Sequence, residues 1–171
     1  SQAMGGGKTH SMIALGLLAK DASLRKKILK DENPAPKLGN CNVVGFNGRS
    51  SDATGGIWGS IAEQLGKAGQ FKDYVTPLLK APGPEAWKNL LGEEPLIIFL
   101  DELPPYLSNA VAVPVGNGDL SIVTTTALAN LLVATAELKN VCLIISDLAG
   151  TNYSGGQASL EAAFNKAVQQ I

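Results

Sequence analysis

Along the chain, apolar positions switch between a helical period and short continuous runs. In residues 11–20, Met12, Ile13, Leu15, Leu17 and Leu18 sit at spacings that suit a helix packed on one broad face, beginning at a run of glycines. Residues 21–40 are charged and then proline-rich, which predicts a solvated helix followed by a loop. The β-branched run CNVVGF predicts a strand ending at Phe46, and residues 47–56 are turn chemistry. Ile57, Ile61 and Leu65 then resume a helical period, with further helical material at 74–80 and 84–91. PLIIFLDE is apolar throughout up to its acids, as in a parallel strand covered on both faces.

Residues 103–123 are rich in Pro, Gly and Asn and predict a long ordered loop with a short hairpin. Residues 124–139 predict a helix with a threonine as N-cap. NVCLIISD predicts another buried strand, 148–156 a loop and 158–171 a final helix. Strands alternating with helices indicate an α/β fold with a parallel sheet, in one domain spanning residues 1–171.

Composition narrows the function classes. With 45% hydrophobic and 17% charged residues, the 171-residue chain can bury a substantial core. A net charge of −1 provides no general basic field for nucleic acid or an anionic membrane. The apolar run at 96–100 is far too short to span a bilayer, and the first residues lack a secretory pattern. Cys41 and Cys142 are too far apart in sequence for metal-ligand spacing and read as buried, reduced thiols. These features point to a cytoplasmic protein with no membrane partner.

Candidate chemistry begins at MGGGKTH, residues 4–10. The full phosphate-loop pattern G-x-x-x-x-G-K-[ST] would place its first glycine at Gln2, so the strict pattern fails. The chemistry survives: Gly5, Gly6 and Gly7 allow successive backbone N–H groups, from Met4 onward, to curl around phosphate oxygens. The following helix adds its positive end, Lys8 a mobile charge for the β- and γ-phosphates, and Thr9 a hydroxyl for Mg²⁺. His10 completes the motif as a helix-start residue. A second signal is the acidic strand end, where Asp101 is suited to hold Mg²⁺ and Glu102 to polarise the attacking water. Ser146 and Asp147 close a neighbouring strand and are candidates to sense the γ-phosphate. Catalytic roles therefore fall to Lys8 and Glu102, with ATP and Mg²⁺ as cofactors.

With MGGGKTH, IWGSIAEQLG and LIIFLDELPPYL in place, the chain resembles an AAA+-type (ASCE-like) P-loop ATPase core. More narrowly, it is similar to a family of large prokaryotic ATPases of uncharacterised function, often encoded near anti-phage defence genes. The resemblance implies a three-layer parallel-sheet P-loop NTPase fold, with Gly5 to Thr9 as Walker A and Asp101 and Glu102 as Walker B residues. It implies the remainder of a larger polypeptide as a partner, a homo-oligomer, and a DNA methyltransferase and helicase as co-workers. In that fold a central strand precedes the phosphate loop and a helical lid follows the core. Both are missing here, so the chain is expected to be a fragment. The only arginines are Arg25 and Arg49, so any arginine finger must come from elsewhere. Arg49 is expected to be an exposed loop charge. Two other readings stay open: a signalling switch with slow ATP turnover, and a non-catalytic interaction module.

Overall fold

The computed structural model describes residues 7–29, 39–49, 55–77, 79–146 and 154–169. In chain order these form α1 (Lys8–Lys20), α2 (Ala22–Leu29), β1 (Asn42–Asn47) and α3 (Gly56–Gln64). A 3-10 turn (Ala68–Phe71) runs into α4 (Lys72–Val75), followed by α5 (Pro84–Leu91), β2 (Leu96–Asp101) and α6 (Leu103–Ala110). The hairpin strands β3 (Pro114–Val115) and β4 (Gly118–Asp119) precede α7 (Leu120–Glu137), β5 (Val141–Ile145) and α8 (Ser154–Val168). The architecture is α/β, with a parallel sheet in the order β1-β2-β5.

The central strand β2 is apolar along its length because it is hydrogen-bonded on both edges and covered on both faces. Register places Asn47 beside Asp101 and Leu100 beside Ile145, so the carboxyl ends of all three strands share one edge. Side-chain alternation sends Val44, Phe46, Ile98 and Leu100 to one face, where they are buried. There α3 packs on β1 and α7 on β5, while α5, α6 and α8 close over α7. On the opposite face α1 lies over β1 and β2. Gly16 permits this close approach, since an added Cβ would stand 3.1 Å from Phe99 and 3.3 Å from Val43. The outer edge of β1 is closed by an amide: Gln64 accepts from the Gly45 N–H (3.0 Å) and donates to the Gly45 carbonyl (2.8 Å).

Several expectations need correction. α1 does not bury a broad face: Met12 and Gly16 are buried, while Ile13, Leu15 and Leu17 are exposed. Residues 103–110 form a helix despite two prolines, because Pro104 and Pro105 fall in the first turn, whose N–H groups have no intrahelical acceptor anyway. The short hairpin does follow. α7 starts four residues before the threonines, capped by Asp119, whose carboxylate accepts the Ile122 N–H at 3.0 Å. α8 likewise starts ahead of residue 158.

The charged second helix is not wholly solvated. Arg25 is buried and donates to the Leu18 and Ala19 carbonyls (2.7 Å each) and to the Gly39 carbonyl (3.0 Å), satisfying the end of α1. Nor are the cysteines buried. Cys41 is half-buried, and Cys142 is exposed on the α1 face of β5, beyond the strands that α1 covers. α7 is long and apolar enough in composition to cross a bilayer, but half of it is buried against the sheet and neighbouring helices, as in a core helix.

Leu100 is fully buried and directly precedes Asp101. Leu100→Ala is expected to cost about 2–5 kcal/mol, read from the urea unfolding midpoint. A loss below about 1 kcal/mol would contradict the packing described for β2.

Candidate functional site

The site lies at the carboxyl edge of the sheet. α1 begins with Gly7 in the left-handed conformation (φ 74°), which glycine adopts without steric cost. Its first turn carries no acidic residue, so the helix's positive end is not neutralised by its own side chains. At the second helical position, the Thr9 hydroxyl donates to Asp101 Oδ2 at 2.5 Å, joining residues 92 apart in sequence. Asp101 is 7% exposed, and its other oxygen accepts the Glu102 N–H at 3.1 Å. Register alternation aims Asp101 at the α1 face, the face shared by Val43 and Phe99. Below the pair, an apolar cavity of about 440 Å³ runs between α1 and β1, lined by Met12, Ile13, Leu17 and Phe99 among others.

A hydroxyl and a carboxylate side by side form a hard oxygen pair, the donor chemistry that Mg²⁺ accepts when it keeps waters and takes its remaining ligands from phosphate. Among the described residues no group of three or more His, Cys, Asp or Glu side chains assembles into a protein-only metal cage. Thr9 and Asp101 could supply two oxygen ligands to such an ion.

Of the other predicted residues, Lys8 opens α1 beside Thr9, and His10 is exposed on the same helix. Ser146 is 9% exposed and donates its N–H to the Leu100 carbonyl at 2.8 Å, which brings it alongside Asp101. Met4, Gly5, Gly6 and Asp147 lie outside the described residues.

Glu102 departs from the strand. It is the one described non-glycine residue with positive φ (φ 56°, ψ 38°) and stands at the N-cap of α6. That conformation costs a non-glycine residue about 1–2 kcal/mol. Its carboxylate Oε2 accepts from Arg49 Nη2 at 2.9 Å and Nε at 3.1 Å. Arg49 is exposed in the turn after β1, as expected, and is in addition paired with an acid. Its parent strand runs parallel to β2, so the turn after β1 emerges at the same edge as Glu102; that topology was the available signal. With 51% and 19% side-chain exposure, the pair contributes only about 0–1 kcal/mol to stability.

The turn itself is clamped. The Gly48 N–H donates to the Asp101 carbonyl at 2.9 Å, and the Arg49 N–H to Asn47 Oδ1 at 3.0 Å. A Cβ at Gly48 would overlap the Glu102 carbonyl oxygen and stand 2.7 Å from Tyr106 Cβ. Phe46 meets the Tyr106 ring edge-on at 5.2 Å beneath this turn. Burial pushes the Tyr106 phenol above its ordinary value, partly offset by the Thr124 hydroxyl, so it stays neutral at physiological pH.

Comparison with protein-family models, curated proteins and solved structures finds no match for this chain.

Gly48→Ala is expected to destabilise the protein by about 1–3 kcal/mol, because backbone rather than a rotatable side chain blocks the new methyl. Gly45→Ala meets nothing within 4 Å and should lie within about 0.5 kcal/mol of wild type in the same thermal or urea measurement. Equal effects at both positions would remove the clamp.

Proposed function

We propose that the chain is a nucleotide-binding core that binds MgATP and hydrolyses it, built on an AAA+-type P-loop fold. In this reading it works in the cytoplasm as the motor module of a larger assembly, with anti-phage defence as its setting. The observation that carries the proposal is the Thr9–Asp101 hydrogen bond at 2.5 Å. A glycine-led helix start and an acidic strand end, distant in sequence, meet at one point, as a triphosphate with its metal requires.

The glycine turn and the first N–H groups of α1 donate to the phosphate oxygens, and Lys8 places its ammonium on the β- and γ-phosphates. Thr9 and Asp101 would hold Mg²⁺, which when bound offsets phosphate charge as it develops. Glu102 orients a water and takes its proton as the water oxygen bonds to the γ-phosphorus. The bond from that phosphorus to the β–γ bridging oxygen breaks, and ADP leaves with the electron pair. In this reading Ser146, which follows β5 and donates its N–H to the Leu100 carbonyl, would contact the γ-phosphate through its hydroxyl.

Lys8→Ala is expected to weaken MgATP binding by about 100-fold or more in calorimetric titration of the complete protein, since the matched charge is lost. Unchanged affinity would rule out the phosphate role. Glu102→Gln should bind MgATP as wild type does while phosphate release falls by about 10²-fold or more, because only the water-activating carboxylate is removed. Equal turnover would exclude Glu102 from the chemistry.

A further inference from the structure

We infer that the cavity between α1 and β1 is a binding site for a small, free amphiphile with an aliphatic body and a single anionic head. The inference does not depend on nucleotide binding. Its first support is a glycine that packing leaves unexplained. Strand alternation sends Val44 and Phe46 to the buried face, so position 45 faces α1. A Cβ at Gly45 would meet nothing within 4 Å, whereas one at Gly16, which also lines the cavity, would press on Phe99 and Val43. Gly16 is therefore required by the approach of α1 to the sheet, and Gly45 is not. Glycine within a strand weakens it, and marks places where a ligand comes close to the backbone.

The cavity has the size and lining of a small-molecule site. Its volume of about 440 Å³ falls in the range of ligand pockets, and Met12, Ile13, Leu17, Val43 and Phe99 give it an aliphatic wall with one ring. Ile13 and Leu17 are more than half exposed, so an occupant would remove two large apolar side chains from water. Thr9 and Lys20 mark its ends along α1, about 16 Å apart at the helical rise per residue. An elongated ligand suits that span. Lys20 is exposed and enters no salt bridge among the described residues, so it supplies an ammonium for an anionic head. Asp101 at the other end disfavours a second negative group there. A strand is a poor occupant, because Gln64 already takes both the N–H and the carbonyl of Gly45 along the outer edge of β1.

The test titrates the complete protein calorimetrically with decanoate and, separately, with decanol, comparing wild type with Lys20→Gln, Gly45→Leu and Gly45→Val. Saturable, equimolar binding of decanoate to wild type is expected. Lys20→Gln should weaken decanoate by about fivefold or more and leave decanol within about twofold, because only the head contact is lost. Gly45→Leu should weaken both by about tenfold or more, because the new side chain occupies the cavity. Should Gly45→Leu fold poorly, Gly45→Val, which introduces a strand-favouring residue, decides the matter. Absence of saturable decanoate binding to wild type up to about 1 mM overturns the inference. Unchanged affinity in the folded Gly45 variants overturns it too, as does an equal loss for both ligands in Lys20→Gln. Dimerisation that Gly45→Leu abolishes, with no decanoate bound, would give the cavity to a second copy of the chain and overturn it as well.

Discussion

The parallel ladder of β2 with its two neighbours is the constraint from which the candidate site follows. Parallel strands end at the same edge, so the residues after β1, β2 and β5 are brought together whatever their separation in sequence. Register then fixes which neighbours meet: Asn47 beside Asp101, and Ser146 one step beyond the Leu100–Ile145 pair. Alternation decides the face. Leu100 turns into the buried layer beneath α7, and Asp101 turns toward α1, where Thr9 meets it. Without the buried row Val44, Phe46, Ile98 and Leu100, there would be no reason for Asp101 to point at the helix start rather than away from it.

Most of this was legible in the sequence where one physical signal dominated. The run at 96–100 read as a buried strand, and the helix over 11–20 was expected to begin at the glycines, as it does at Gly7. Where two signals competed, the reading failed. Prolines at 104 and 105 look like breakers, yet their position in a first turn makes them compatible with α6. Three threonines look like caps, but Asp119 upstream is a stronger acceptor and took the role. The long-range partners were least visible. Nothing local in Arg25 says that it will satisfy the carbonyls at the end of α1, and nothing local in Arg49 says that it will meet Glu102. Both depend on where loops emerge, which is a property of topology rather than of composition.

Asp101 and Glu102 show how adjacent carboxylates acquire different chemistry from backbone geometry alone. Asp101 completes the strand in extended conformation, is almost fully buried, and keeps one oxygen on a hydroxyl and the other on an amide. Glu102 leaves the ladder with φ 56°, so its side chain escapes the alternation that would otherwise send it beneath the sheet. It emerges instead on the turn side, less buried than Asp101 and beside a cation. A regular strand continuing one residue further would bury the second acid among apolar residues, where an unpaired charge is costly. The left-handed residue thus resolves a conflict between a strand that must be apolar and a second acid that follows it directly.

That resolution links the turn after β1 to the chemistry of the edge. Gly48 must lack a side chain because the backbone of Glu102 occupies the space, and Arg49 follows it directly within hydrogen-bonding range of the freed carboxylate. A larger residue at 48 would push the turn outward and separate the ion pair even with Arg49 unchanged. Backbone contact and ion pair are therefore one device. The backbone contact sets the position from which the guanidinium reaches the Glu102 carboxylate. With half of the Arg49 side chain exposed, the pair itself adds little to stability, so the turn is held chiefly by its backbone contacts.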